Sequence, residues 1–243
     1  MNRHFTRIKQ LAGCALVGAA AILAAPAHAS VLNLDTQTPT TYLHGEKFVE
    51  GGLTFTARES GFFPGLGLAA GVMLDGSNPG SCGSNVACPS GNGSIFYSGW
   101  NDSSIDIGHA GGFYSLNSLR FSFLAPGAPV PDGVYGQLVL NATTDDGSFV
   151  TRSADFAGQD ANGQFMFSNW KLDPDFSALR LTNLSISACL FDGNGGCVNP
   201  ADWALFNAQF AIDDLDVAVP LPGSAPLLLL GLAGLAAIRR RAQ

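Results

Sequence analysis

The side chains that could do chemistry in this chain of 243 residues are few, and their types narrow what that chemistry would be. Three glutamates, Glu46, Glu50 and Glu59, lie early in the chain, and Asp213, Asp214 and Asp216 lie together near its end. Paired carboxylates could run glycoside hydrolysis, which needs two acids roughly 5–10 Å apart across a sugar. Nothing around the three glutamates marks one as a buried acid, and solvated strand edges are the plainer account of them. His44 and His109 follow the N-terminal region without a Gly-x-Ser-x-Gly elbow, a His-Glu-x-x-His pair, a phosphate loop or a dinucleotide fingerprint. No catalytic residue is expected. Calcium fits the aspartates better, being a hard cation that takes about six to eight oxygens. Alternation along a strand would put Asp214 and Asp216 on one face and Asp213 with Leu215 on the other. Such a site needs further oxygens, and Glu50, near the first strand, is the expected helper of Asp213. Tyr97, Trp100, Trp170 and Trp203 lie in or beside loops, where flat rings can stack on sugars. Trp100 and Tyr97 are the expected stackers, with core packing as the ordinary alternative.

The elements that must hold these residues read as strands. No long stretch repeats its apolar residues every 3.6 positions, whereas short alternating runs recur between turn residues. Expected strands begin at Val31–Leu34 and continue through 51–57, 95–97, 104–107, 116–123, 135–142, 149–156, 164–167, 179–188 and 206–217. Asp132-Gly133, Asp146-Gly147 and Asn162-Gly163 supply the positive φ that tight hairpins need. About ten short strands without crossover helices predict an all-β fold, an antiparallel β-sandwich. Pro200–Trp203 is the single expected helical turn. Four cysteines follow the N-terminal region as two close pairs, Cys82/Cys88 and Cys189/Cys197, each in a Gly/Ser/Asn-rich loop. They allow three connectivities. Nearest-neighbour disulfides are expected; a four-cysteine zinc site is the rival, although zinc ligands usually sit closer, as Cys-x₂₋₄-Cys.

Charge separates the body from the two ends. All nineteen acidic residues lie between Asp35 and Asp216, while six of the twelve Lys and Arg lie at the termini, so the middle carries 6 − 19 = −13. A body so acidic lacks the basic clusters that phosphate binding needs, which excludes nucleic acid as its partner. Residues 1–29 read as a secretory signal helix. Arg3, Arg7 and Lys9 precede an apolar core, and Ala27-His28-Ala29 forms a small-x-small cleavage site before Ser30. Leu11-Ala12-Gly13-Cys14 resembles a lipobox, but polar and basic residues precede it, so Cys14 is expected to leave with the signal. At the other end come a Pro-rich hinge (Val219–Pro226), an uncharged apolar run (Leu227–Ile238) and Arg239, Arg240 and Arg241. From Ala225 to Ile238 a helix would span roughly 21 Å, against a hydrocarbon core of about 30 Å, so this transmembrane helix suits transient anchoring.

The order hinge, apolar helix, arginines resembles the PEP-CTERM sorting tail of Gram-negative bacteria. Val219, Pro220 and Pro222 match its motif, and Leu221 stands where that family usually has Glu. The resemblance covers about a tenth of the chain. It implies export by the Sec translocon, recognition by an exosortase-like membrane protease, and delivery to the outer surface or an extracellular polysaccharide matrix. More weakly, Phe113–Phe121 and Phe210–Val217 are similar to the bodies of other such proteins and to jelly-roll carbohydrate-binding modules. In those modules a structural calcium often bridges the first and last strands, which is what points to Asp213. The expected organisation is a signal peptide (1–29), a jelly-roll-like β-sandwich (30–218) and a sorting segment (219–243). The expected function is that of a non-catalytic surface, adhesive or exopolysaccharide-binding component of a biofilm matrix. A secreted polysaccharide hydrolase using Glu46, Glu50 or Glu59, or a ligand-free coat protein, are the alternatives.

Overall fold

Alternation decides which segments become strands and which face each residue takes. The structure is a computed structural model that describes residues 27–61, 64–83, 86–125, 130–199 and 208–220. Its strands are β1 (Ala27–Leu32), β2 (Thr40–Tyr42), β3 (Lys47–Glu50), β4 (Leu53–Arg58), β5 (Gly71–Asp75), β6 (Ile95–Gly99) and β7 (Ser104–His109). They continue as β8 (Ser115–Phe123), β9 (Gly136–Thr144), β10 (Phe149–Asp155), β11 (Ser168–Lys171), β12 (Leu181–Phe191), β13 (Cys197–Val198) and β14 (Phe210–Pro220). One sheet runs β11-β8-β14-β6-β5-β2 with β1 also on β14, and the second runs β10-β9-β12-β7-β4-β3 with β13 on β12. The two antiparallel sheets form a sandwich, and Ala29–Ala218 is one compact unit.

The second sheet shows how register builds the core. Val150, Ala142, Leu184, Ile107, Phe55 and Phe48 face one another across its strands, one residue per strand, and nearly all are fully buried. From the first sheet Met73, Tyr97, Phe121, Phe123, Phe210 and Ile212 meet them. Phe48 lies 6.0 Å, centroid to centroid, from Tyr97 of the opposite sheet, so aromatic side chains bridge the layers, and Phe210, on the sheet of Tyr97, lies 6.4 Å from the same ring. Burying each such ring contributes roughly 1.5–3 kcal/mol, which makes this the main source of stability.

A second, smaller apolar layer lies on the outer face of the first sheet. Leu74 on β5, Phe96 on β6, Ala211 on β14 and Leu124 after β8 form it with Cys82 and Val86 from the connecting loop. A 3₁₀ turn (Pro79–Cys82) and the Cys82–Cys88 disulfide hold that loop. The Cys189–Cys197 disulfide closes the β12–β13 hairpin. Both bonds join nearest neighbours, which leaves these cysteines no part in a zinc site.

Expectation and structure differ at several places. Strands β2, β3 and β5 lie where no strand is expected, because each is short and β5 lacks clean alternation. Residues 164–167 form only isolated bridges at Phe165 and Met166, and the strand that follows is β11. A one-turn helix, α1 (Pro174–Ser177), appears where none is expected: Asp173 caps it by accepting the Phe176 N–H at 2.9 Å, and Pro174 opens it. The expected turn at Pro200–Trp203 lies outside the described residues, as do most of the signal helix and the apolar run 227–238. Among the described residues no helix is long and apolar enough to cross a membrane. β1 runs through the expected cleavage site, so a cut before Ser30 would leave Ser30–Leu32 of that strand.

The largest correction concerns β14. Its ladder with β8 slips between Asp213 and Asp216, and Asp214 takes a φ of 48°. This bulge inverts the alternation. Phe210 and Ile212 point into the sandwich and Ala211 and Asp213 point out, yet Leu215 and Val217 beyond the bulge are buried as well. Asp213 therefore does not share a face with Leu215. Aspartate tolerates a left-handed backbone, whereas a β-branched side chain there clashes with its own main chain. Asp214→Val is expected to cost at least about 1 kcal/mol more than Asp214→Gly, since both lose the same carboxylate. Urea denaturation of the two variants checks this.

Candidate functional site

The strand phase that buries one face of the second sheet presents the other to solvent. That face is mainly polar between an apolar residue at each edge, Phe149 on β10 and Val49 on β3. Reading across the strands, one row runs Phe149, Thr143, Asn183, Gly108, Thr54, Val49. The next row runs Thr151, Asn141, Ser185, Asp106, Thr56, Lys47, and a third Ser153, Val139, Ser187, Ser104, Arg58. Six strands at about 4.8 Å spacing make this face roughly 24 Å wide. It holds hydroxyls and amides with few charges. Arg58 Nε donates to Asp106 Oδ2 at 2.7 Å, and Thr151 Oγ1 to Asn141 Oδ1 at 2.8 Å, which fixes these groups in place. Among the described residues, the side chains of Thr54, Asn183, Ser185 and Ser187 make no hydrogen bond within the chain.

At the centre of the face Gly108 lacks a side chain, and the gap forms an open depression of about 250 Å³. Thr54, Thr56, Arg58, Asp106 and Asn183 line it together with His109, whose Nδ1 is buried with no partner among the described residues. The Arg58–Asp106 pair places donors and an acceptor side by side, and threonine and asparagine add more of both. Adjacent hydroxyls of a sugar, each able to donate and to accept, match that arrangement. A lone nucleophile or a buried acid does not arise on this face.

Most residues singled out from the sequence lie elsewhere. Tyr97 is corrected: it is 0% exposed, packed between Phe48 and Phe210 with its hydroxyl over Gly71, so it cannot stack on a ligand. Trp100 is half-buried, packs against the outer apolar layer, and donates its Nε1–H to Ser98 Oγ at 2.9 Å. Trp170 packs on Phe121 at 5.7 Å. Trp203, Leu221, Pro222 and Arg239–Arg241 lie outside the described residues, while Val219 and Pro220 end β14. The structure does not bring Glu50 and Asp213 together. They stand on different sheets, and Glu50 Oε2 accepts from Thr36 Oγ1 and from Gln37 Nε2. Among the described residues no three His, Cys, Asp or Glu side chains gather as a metal would require. Glu46 accepts the Leu43 N–H at 2.7 Å, and Glu59 the Gly65 N–H at 3.1 Å, so both are tied into their own loops. The residues missed are Thr54, Arg58, Asp106, Asn183 and Phe149. The signal that could find them is the second phase of each alternating run, the residues between the apolar ones.

No family model matches the chain, and no curated protein matches it. Among solved structures it is similar to a mutant of CBM29-2, a family 29 carbohydrate-binding module, at 10% identity and a TM-score of 0.32, covering 79% of this chain and 91% of that one. It is also similar to TmCBM61 in complex with β-1,4-galactotriose, at 13% identity, a TM-score of 0.32, and 61% and 81% coverage. A third is the xylan-binding domain CBM22-1 of Xyn10C from Paenibacillus barcinonensis, at 10% identity, a TM-score of 0.29, and 82% and 99% coverage. At these values the likenesses decide nothing about this chain.

Asp213 has a structural role that the outer layer explains. Fully buried, it accepts hydrogen bonds from Asn92 Nδ2 at 2.7 Å, Ser94 Oγ at 2.9 Å and its neighbour's N–H, Asp214, at 2.8 Å. Burial pushes its carboxyl up to about 6 from the ordinary 3.8, and those three donors limit the rise. A raised carboxyl favours the folded state fully below its unfolded value and loses that contribution as pH climbs through the folded one. The carboxyls of Asp146, Asp160, Asp173 and Asp192 are lowered, chiefly by hydrogen bonds, and act at more acid pH. Thermal stability is therefore expected to fall as pH climbs from about 5, above the range of the lowered carboxyls, through about 6, and the fall to flatten in Asp213→Asn. Melting curves over that range test it.

Proposed function

We propose that this chain is an exported, non-catalytic component of a cell surface or extracellular matrix, and that it binds polysaccharide on the outward face of its second sheet. The observation that carries the reading is the composition of that face. In a body of net charge −13, three consecutive cross-strand rows present mainly hydroxyls and amides, with Arg58 neutralised by Asp106. Solubility alone would be met by scattered charges; an ordered ladder of neutral donors and acceptors around a depression suits a polyhydroxylated chain. Export is supported by the two disulfides, which persist outside reducing compartments. The terminal segments supply the route: the Sec translocon at the start and an exosortase-like membrane protease at the tail. Transient inner-membrane anchoring would precede release to the surface of a Gram-negative cell.

The test uses purified protein and the extracellular polysaccharide of the producing cells. A Cβ added at Gly108 meets nothing closer than 3.7 Å, so the backbone accepts a side chain there, and Gly108→Leu directs one into the depression. Affinity electrophoresis is expected to show retardation of the wild type and at least a tenfold weaker effect in Gly108→Leu, with unchanged melting. Equal retardation of both proteins would remove this face from the reading. Failure to bind any polysaccharide would remove the ligand.

A further inference from the structure

Resting on that reading, we infer that the bound polymer is uncharged and lies across the strands, along the row from Val49 to Phe149, with the Phe149 ring stacked on one of its sugars. Phe149 is 84% exposed, more than any other large apolar residue among those described, and Val49 at the far end of the same row is 60% exposed. Between them the row offers a hydroxyl (Thr143), an amide (Asn183), bare backbone (Gly108) and a second hydroxyl (Thr54). Polar groups thus flank the floor, and apolar groups stand at both ends. A pyranose has the same division, with hydroxyls around its rim and C–H groups on its faces. Aromatic faces are electron-rich and attract such C–H groups.

Phe149 is placed for this by its turn. It follows Asp145-Asp146-Gly147-Ser148, in which Asp146 Oδ1 accepts from Thr144 Oγ1 at 2.5 Å and from the Ser148 N–H at 2.9 Å, and Gly147 takes a φ of 84°. The hairpin is fixed before any ligand arrives, so little ordering entropy opposes contact with the ring. From β10 to β7 is three strand spacings, about 14 Å, so a polymer touching both Phe149 and the depression must contribute several sugars.

Charge selects the uncharged class. Within the three rows Arg58 is paired with Asp106, Lys47 stands at the β3 edge, and the acidic body around them repels polyanions. Attraction by hydrogen bonds and stacking alone changes little with salt, unlike attraction between exposed charges.

The experiment measures binding of hydroxyethyl cellulose, xylan, galactan and alginate to wild type, Phe149→Ala and Gly108→Leu at low and high salt. Phe149 is 84% exposed, so its removal leaves melting unchanged. The expected result is binding to at least one neutral polymer, insensitive to salt, about three- to tenfold weaker in Phe149→Ala and abolished in Gly108→Leu. Loss in Gly108→Leu with full binding in Phe149→Ala keeps the sheet face and overturns the crosswise path. Loss in Phe149→Ala alone also overturns the path, because the ring would then act without the floor. Preference for alginate with steep salt dependence overturns the uncharged class. Binding that survives both substitutions overturns the face itself.

Discussion

The period of two along paired antiparallel strands is the constraint on which the rest of this domain depends. In the second sheet it sends Phe48, Phe55, Ile107, Leu184, Ala142 and Val150 inward and, one residue away, the polar rows outward. A slip of one residue in any strand would exchange the two sets, placing threonines and asparagines in the core. Core and candidate site are two sides of one register, and neither can be altered without the other. Aromatic contacts between the sheets, such as Phe48 with Tyr97, lock that register through the third dimension.

The first sheet handles the same constraint differently. Its outer side is not left to water but roofed by the loop that carries Cys82 and Cys88, and the roof needs apolar support from Leu74, Phe96 and Ala211. β14 serves both layers only because the bulge at Asp214 changes phase partway along. The first part feeds Ala211 and Asp213 to the roof, and the second returns Leu215 and Val217 to the main core. Arg120 fastens the join: it pairs with Asp214 at 3.2 Å, donates to the Gly91 carbonyl, and lies over the Phe167 ring.

Much of this was legible in the residues. Alternation gave the class of fold and most strands, and the Asp-Gly and Asn-Gly turns gave several of their ends. The close cysteine pairs bond as their proximity suggests. Asp213 misled because a strand is assumed to alternate throughout, and nothing local in Ile-Asp-Asp-Leu-Asp announces a phase change. Tyr97 misled because it ends the expected strand 95–97 beside a Ser-Gly-Trp stretch and looks like the rim of a loop, whereas pairing with Met73 and Ile212 puts it at the centre of a sheet. The polar rows escaped for another reason: threonines on β4, an aspartate on β7 and an asparagine on β12 are unremarkable singly. They become a surface only when register lines them up, and register is a long-range property.

The roof over the first sheet has one more consequence. Asn92 and Ser94, the side chains that accommodate the inward-drawn charge of Asp213, belong to the segment just beyond the Cys82–Cys88 link. The disulfide shortens the loop that must hold those two donors in place, so it supports the hydrogen bonds that solvate the carboxylate. The order of this half of the molecule is thereby coupled to the Cys82–Cys88 bond, so the buried carboxylate and the disulfide stand or fall together.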